Sequence, residues 1–163
     1  MFDLINGIPV HPLVVHAVVV LLPLAMLGTV AIAVRPKWRV PYGRLVVGTA
    51  AAAAILCPVA TSSGEALEER VGDPSFDHAE LGESLVWFAI ALVIVSAALY
   101  YLQRRQEKAL AADPDAETNQ TLLTGVAVLA VVVALAATYQ AYRVGDTGAK
   151  SAWEGEVSSS TGD

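Results

Sequence analysis

A chain of 163 residues that is 55% apolar and 16% charged, with a mean hydropathy of +0.56, carries more apolar residues than a soluble domain of this size. Its formal net charge of −6 argues against a nucleic-acid partner, which calls for a basic surface. A single cysteine excludes an intramolecular disulfide and a thiolate metal cage.

Four apolar stretches, residues 13–34, 45–62, 85–102 and 122–142, separate along the chain. Each is close to the roughly 17–25 residues a spanning helix needs. They are too long, and lack the alternation, for membrane barrel strands. The first helix is expected over 12–34. Pro12 suits its first position, where a missing N–H costs nothing, so His11 sits at the interface and His16 about 7 Å deeper. The first 34 residues contain no Lys or Arg. A cleaved signal peptide has a positive start, so this helix is expected to stay. The second helix, 44–62, is alanine-rich and carries Pro58, with Cys57 as a packing residue. Asp73-Pro74 reads as an N-cap and first position, giving a third helix over 74–105 with His78 one turn inside it. His78 then shares a face with Gly82 and Leu85. The fourth helix is expected over 120–143, closed by Gly145 and Gly148. Arg143 and Trp153 return to the interface, and 155–163 reads as a disordered tail. The fold expected is an all-α four-helix transmembrane bundle, one domain over 1–154.

Arg35, Lys37, Arg39, Arg44, Arg104, Arg105 and Lys108 all fall at one end of such a bundle. Short loops rich in Lys and Arg stay in the cytoplasm, so both termini and the 63–77 loop are expected on the extracytoplasmic side. The outer end then holds twelve acidic against three basic side chains and the inner end four against seven. The net charge thus divides into about −9 outside and +3 inside, an outer surface suited to cations.

All three histidines fall near the outer end. A neutral imidazole in lipid without a partner is costly, so such groups are expected to face the bundle interior. His16 has no polar side chain around it on its own helix. Haem b suits this pattern, because two imidazoles from facing helices can ligate iron while the bundle buries the macrocycle. His16 with His78 is the pair chosen, His16 being the deeper. By residue counting, His11 matches the depth of His78 slightly better. Gly28, Gly48 and Gly82 would allow close approach, and Arg143 could meet a propionate or a glutamate. A zinc, copper or iron ion is the alternative, held by His11, His16 and His78 with Glu65 or Glu80. Each residue also has a plain role: His11 as an interfacial side chain, His78 paired with Asp77 or Glu80, the glutamates as solvated charges, Arg143 as an anchor.

The opening His11-Pro12-Leu13-Val14-Val15-His16, the segments Ser63-Gly64-Glu65 and His78-Ala79-Glu80-Leu81-Gly82, and the tail from Gly145 to Trp153 resemble the bacterial membrane family called domain of unknown function 2231. The resemblance spans roughly residues 7–154. It implies a multi-pass protein of the bacterial cytoplasmic (inner) membrane with the layout of a small membrane cytochrome. Family members fused to Rieske-type domains add an electron-transfer setting by association. His11, His16 and His78 match the family's histidines. Asp146 stands where many relatives have a further histidine, which limits bis-histidine ligation to one haem.

The expected function is therefore a one-haem electron carrier near the outer face, exchanging electrons with quinone or a redox protein. The alternatives are an accessory subunit of a larger respiratory or transport complex, or a metal-ion-binding membrane protein; lipid contact and a homo-oligomer fit each. A stand-alone enzyme is not the expectation, since the chain lacks a nucleophile elbow and a phosphate loop.

Overall fold

The computed structural model describes the backbone of residues 4–5, 8–71 and 78–158, and the side chains of residues 11–65 and 80–150. Its elements are helices α1 (Val10–Val34), α2 (Arg39–Val71), α3 (His78–Ala112) and α4 (Gln120–Ser158). Two short strands, β1 (Leu4–Ile5) and β2 (Ile8–Pro9), pair antiparallel just ahead of α1. All four helices carry segments long and apolar enough to cross a membrane: His11–Val34, Pro36–Glu65, Glu80–Ala112 and Gln120–Lys150.

The helices alternate in direction and pack as a ring, each against its chain neighbours and α4 against α1. One seam pattern explains the packing. The buried positions that make the seam are Val18, Leu22, Ala25, Thr29 and Ile32 on α1, and Val46, Ala50, Ala53 and Cys57 on α2, with Met26, Ala33 and Val95 buried beside it. On α3 they are Leu85, Ala89, Leu92, Ser96 and Leu99, and on α4 Leu123, Ala127, Ala130, Ala134 and Ala137. Every one of these runs alternates steps of four and three, the spacing that keeps a seam facing its partner in a left-handed bundle. Lipid supplies no hydrophobic drive between helices, so the many alanines matter by letting backbones approach closely. Large apolar side chains such as Val19, Leu27, Leu45, Ile94 and Leu135 cover the outside.

The basic end is held by arginines. Arg39 is buried. It donates from Nε to the carbonyl of Ile32, and from its two terminal nitrogens to the carbonyl of Ala33 and to Gln103 Oε1, each at 3.1 Å. It therefore satisfies carbonyls in the last turn of α1, which no helical N–H can reach. Arg44 and Arg104 both donate to the hydroxyl of Tyr100, and a Cβ added at Gly43 would lie 2.5 Å from that ring. At the α3–α4 connection, Asn119 Oδ1 accepts from the Leu122 N–H at 2.8 Å and caps α4.

Helix bounds differ from the sequence reading. α2 starts at Arg39 rather than 44 and reaches Val71, running through Pro58. α3 starts at His78 and ends at Ala112, and the cap expected at Asp73-Pro74 lies outside the described residues. α4 does not stop at residue 143: it continues through Gly145 and Gly148 to Ser158, past the boundary expected at 154. Glycine inside a helix costs only about 1 kcal/mol. Here the Asp146–Lys150 pair at 2.8 Å, four residues apart, supports the segment.

Candidate functional site

The end of the bundle opposite Arg39, Arg44 and Arg104 carries His11, His16, Glu65, Glu80 and Arg143, and α3 begins there at His78. His11 lies in the first turn of α1, half-buried against the turn of α2 at residues 60–64. Its Nδ1 is 3.0 Å from the Ala60 carbonyl and 3.3 Å from Ser63 Oγ. A carbonyl only accepts, so Nδ1 is the nitrogen that donates. Gly64 makes this contact possible, because a Cβ there would meet His11 Cε1 at 3.0 Å.

His16 corrects an expectation. It lies on the exposed face of α1, not in the interior, and it does have a partner on its own helix: Nδ1 donates to the Pro12 carbonyl. Five residues on a helix turn through about 140°, so with His11 in the seam toward α2, His16 points away from it. Both imidazoles thus donate from Nδ1 to a backbone carbonyl, the contact that also fixes one nitrogen of a histidine whose other nitrogen binds a metal. The two cannot serve one group. His78 is the first residue of α3; its side chain, and with it any pairing with His16 or His11, lies outside the described residues.

Between α3 and α4 the same end opens into a cleft of about 480 Å³ lined by Glu80, Leu81, Ser84, Phe88, Gln140 and Arg143. Gln140 is buried beneath it, 7% exposed. Its Nε2 donates to the Leu81 carbonyl at 3.2 Å and to Ser84 Oγ at 2.6 Å, and Ser84 donates in turn to the Leu81 carbonyl at 2.7 Å. These bonds use both amide protons and leave Oε1 as an acceptor. Arg143 and Glu80 are exposed at the rim, and no ion pair joins them among the described residues. Sequence reasoning named Glu80 and Arg143 but missed Gln140 and Ser84. The signal was available, since Gln140 is the one amide within the apolar stretch 122–142.

The other candidates stay apart. Glu65 is exposed at the end of the α2 span, and a Cβ on Gly82 or Gly48 would meet nothing within 4 Å, whereas Gly28 does pack closely, its Cβ position 2.9 Å from Val46. No group of three or more His, Cys, Asp or Glu side chains placed to hold a metal ion occurs among the described residues.

No significant match to the chain was found among curated proteins or among solved structures. A family model does match, over residues 7–161, nearly the whole length. The chain, with its four helices apolar enough to span a membrane, belongs to the family described as Predicted membrane protein (DUF2231).

Proposed function

We propose that this chain is a multi-pass protein of the bacterial cytoplasmic membrane, its termini outside, that binds one haem b through His16 and serves electron transfer with quinone or a redox protein. The observation that carries the reading is the His16 imidazole: exposed on the apolar outside of α1, tied by Nδ1–H to the Pro12 carbonyl, with no hydrogen-bond partner at Nε2 among the described residues. An imidazole left so in lipid is costly unless something binds it. The interior one turn further in is filled by Val18, Leu22, Ala25, Cys57 and Leu85, so the macrocycle would lie against the outside of α1. His16 would be one of the residues holding the haem iron, with His78 or a histidine of another chain as the other. When bound, the haem supplies a one-electron couple; the protein holds it and sets its surroundings.

The same exposed His16 supports a second reading, in which a polar group on a neighbouring subunit's helix meets it and the chain is an accessory subunit of a larger complex. A zinc, copper or iron ion has less support, because the described His11, His16, Glu65 and Glu80 form no ligand cluster.

A reduced-minus-oxidised visible spectrum of the detergent-purified protein, with metal analysis of the same sample, separates these readings. A haem b spectrum lost in His16→Ala and only weakened in His11→Ala is the expected result. Full haem occupancy in His16→Ala overturns the assignment. A colourless wild type that co-purifies with larger chains favours the subunit, and one carrying stoichiometric metal favours the ion.

A further inference from the structure

The cleft between α3 and α4 is a separate site from His16, and its chemistry specifies a ligand whether or not a haem is bound. Three polar features meet there. Arg143 offers up to five N–H donors, Glu80 a carboxylate, and the buried Gln140 an amide oxygen left over after both its protons are used. Leu81 and Phe88 make the apolar part of the wall. A simple anion would satisfy Arg143 but would be repelled by Glu80 and would leave the Gln140 oxygen facing another acceptor. A simple cation would leave Arg143 unmatched. A ligand that carries both a phosphate and a protonated primary amine satisfies all three, the phosphate on Arg143 and the ammonium hydrogens on Glu80 and Gln140 Oε1.

The depth of the cleft points to the source of such a ligand. Trp87, Tyr139 and Tyr142 are among the most exposed large hydrophobic side chains of the described residues, at 73%, 65% and 70%. Amphipathic aromatic side chains gather where the hydrocarbon ends and head groups begin. Trp87 follows Ser84 by less than a turn, and Tyr139 and Tyr142 flank Gln140 and Arg143 on α4. The cleft therefore opens at head-group height, with Leu135, Ile90 and other exposed apolar side chains below it for acyl chains.

We infer that this cleft binds the head group of a phospholipid bearing a primary ammonium, as in phosphatidylethanolamine, with Arg143 on the phosphate and Glu80 and Gln140 on the ammonium. The test is native mass spectrometry of the full chain, stripped of lipid by extended detergent washing and then titrated with phosphatidylethanolamine, phosphatidylcholine or phosphatidylglycerol. One phosphatidylethanolamine should be retained per chain, in preference to the choline lipid, which has no N–H, and to the glycerol lipid, which has no cation. Arg143→Gln and Glu80→Gln change exposed side chains, so both variants should keep the wild-type circular dichroism. Each should lower retention by about tenfold or more, the scale of a lost charge-assisted hydrogen bond. Free phosphoethanolamine in excess should not displace the lipid; displacement would make the ligand a soluble zwitterion and overturn the lipid assignment. Equal retention of all three lipids, or unchanged retention in Arg143→Gln, overturns the site.

Discussion

Thr29 is fully buried at a seam position of α1, and its hydroxyl oxygen has no hydrogen-bond partner among the described residues. A buried hydroxyl without a partner gives up its hydration for nothing, whereas valine has nearly the same shape and no polar atom. Thr29→Val should therefore stabilise the bundle by about 1 kcal/mol, read as a higher unfolding midpoint in detergent. A loss of stability would mean that the hydroxyl has a partner. The neighbouring histidines show what the sequence could and could not say at this scale. His11 precedes Val18 by seven residues and shares its heptad position, so it turns inward; His16 is off that register and turns out. The residue types were legible. The direction was not, because α1 is apolar around its whole circumference: lipid tails and core both accept Val and Leu, so hydrophobicity alone does not reveal which face is the seam.

Helix number and direction followed from apolar length, and the structure has those four helices in alternating directions. Their ends did not follow, because beyond the hydrocarbon a helix has no apolar signal to read. α4 is the extreme case: 39 residues at 1.5 Å each give about 58 Å, nearly twice a hydrocarbon core of about 30 Å. The sequence reading took Gly145 as a stop, the role glycine has when it adopts a left-handed conformation after the last turn. In the structure Gly145 is inside the helix, and a Cβ there would meet nothing within 4 Å. The two placements predict opposite signs for one substitution. Within a helix Gly145→Ala gains about 0.5–1 kcal/mol of propensity, while at a left-handed stop it loses a similar amount. Increased helical signal by circular dichroism and slower amide exchange over 143–150 are the expected outcome; faster exchange there would return the helix end to Gly145.

For the molecule as a whole, the two ends differ in more than charge. One end is fastened by arginines, Arg39 on the carbonyls closing α1 and Arg44 and Arg104 on Tyr100, while the other carries the histidines and the open α3–α4 cleft. A hydrogen-bonded basic end and an acidic end with an open cleft suit a protein that binds its ligands on one side of the membrane. The side is a matter of where Lys and Arg fall, since retention of basic loops in the cytoplasm fixes orientation. The connection between α1 and α2 holds Arg35 and Lys37, and the end of α3 holds Arg104, Arg105 and Lys108, so these ends should face the cytoplasm. Single cysteines test this in a Cys57→Ala background, Cys57 itself being buried in the core. Glu65 and Asp115 are both exposed, at opposite ends. Glu65→Cys should react with a membrane-impermeant maleimide in intact cells. Asp115→Cys should react only after the membrane is opened. The reverse pattern would put the histidines and the cleft on the cytoplasmic side and move any redox partner with them. Labelling of both positions in intact cells would contradict an orientation set by the basic loops.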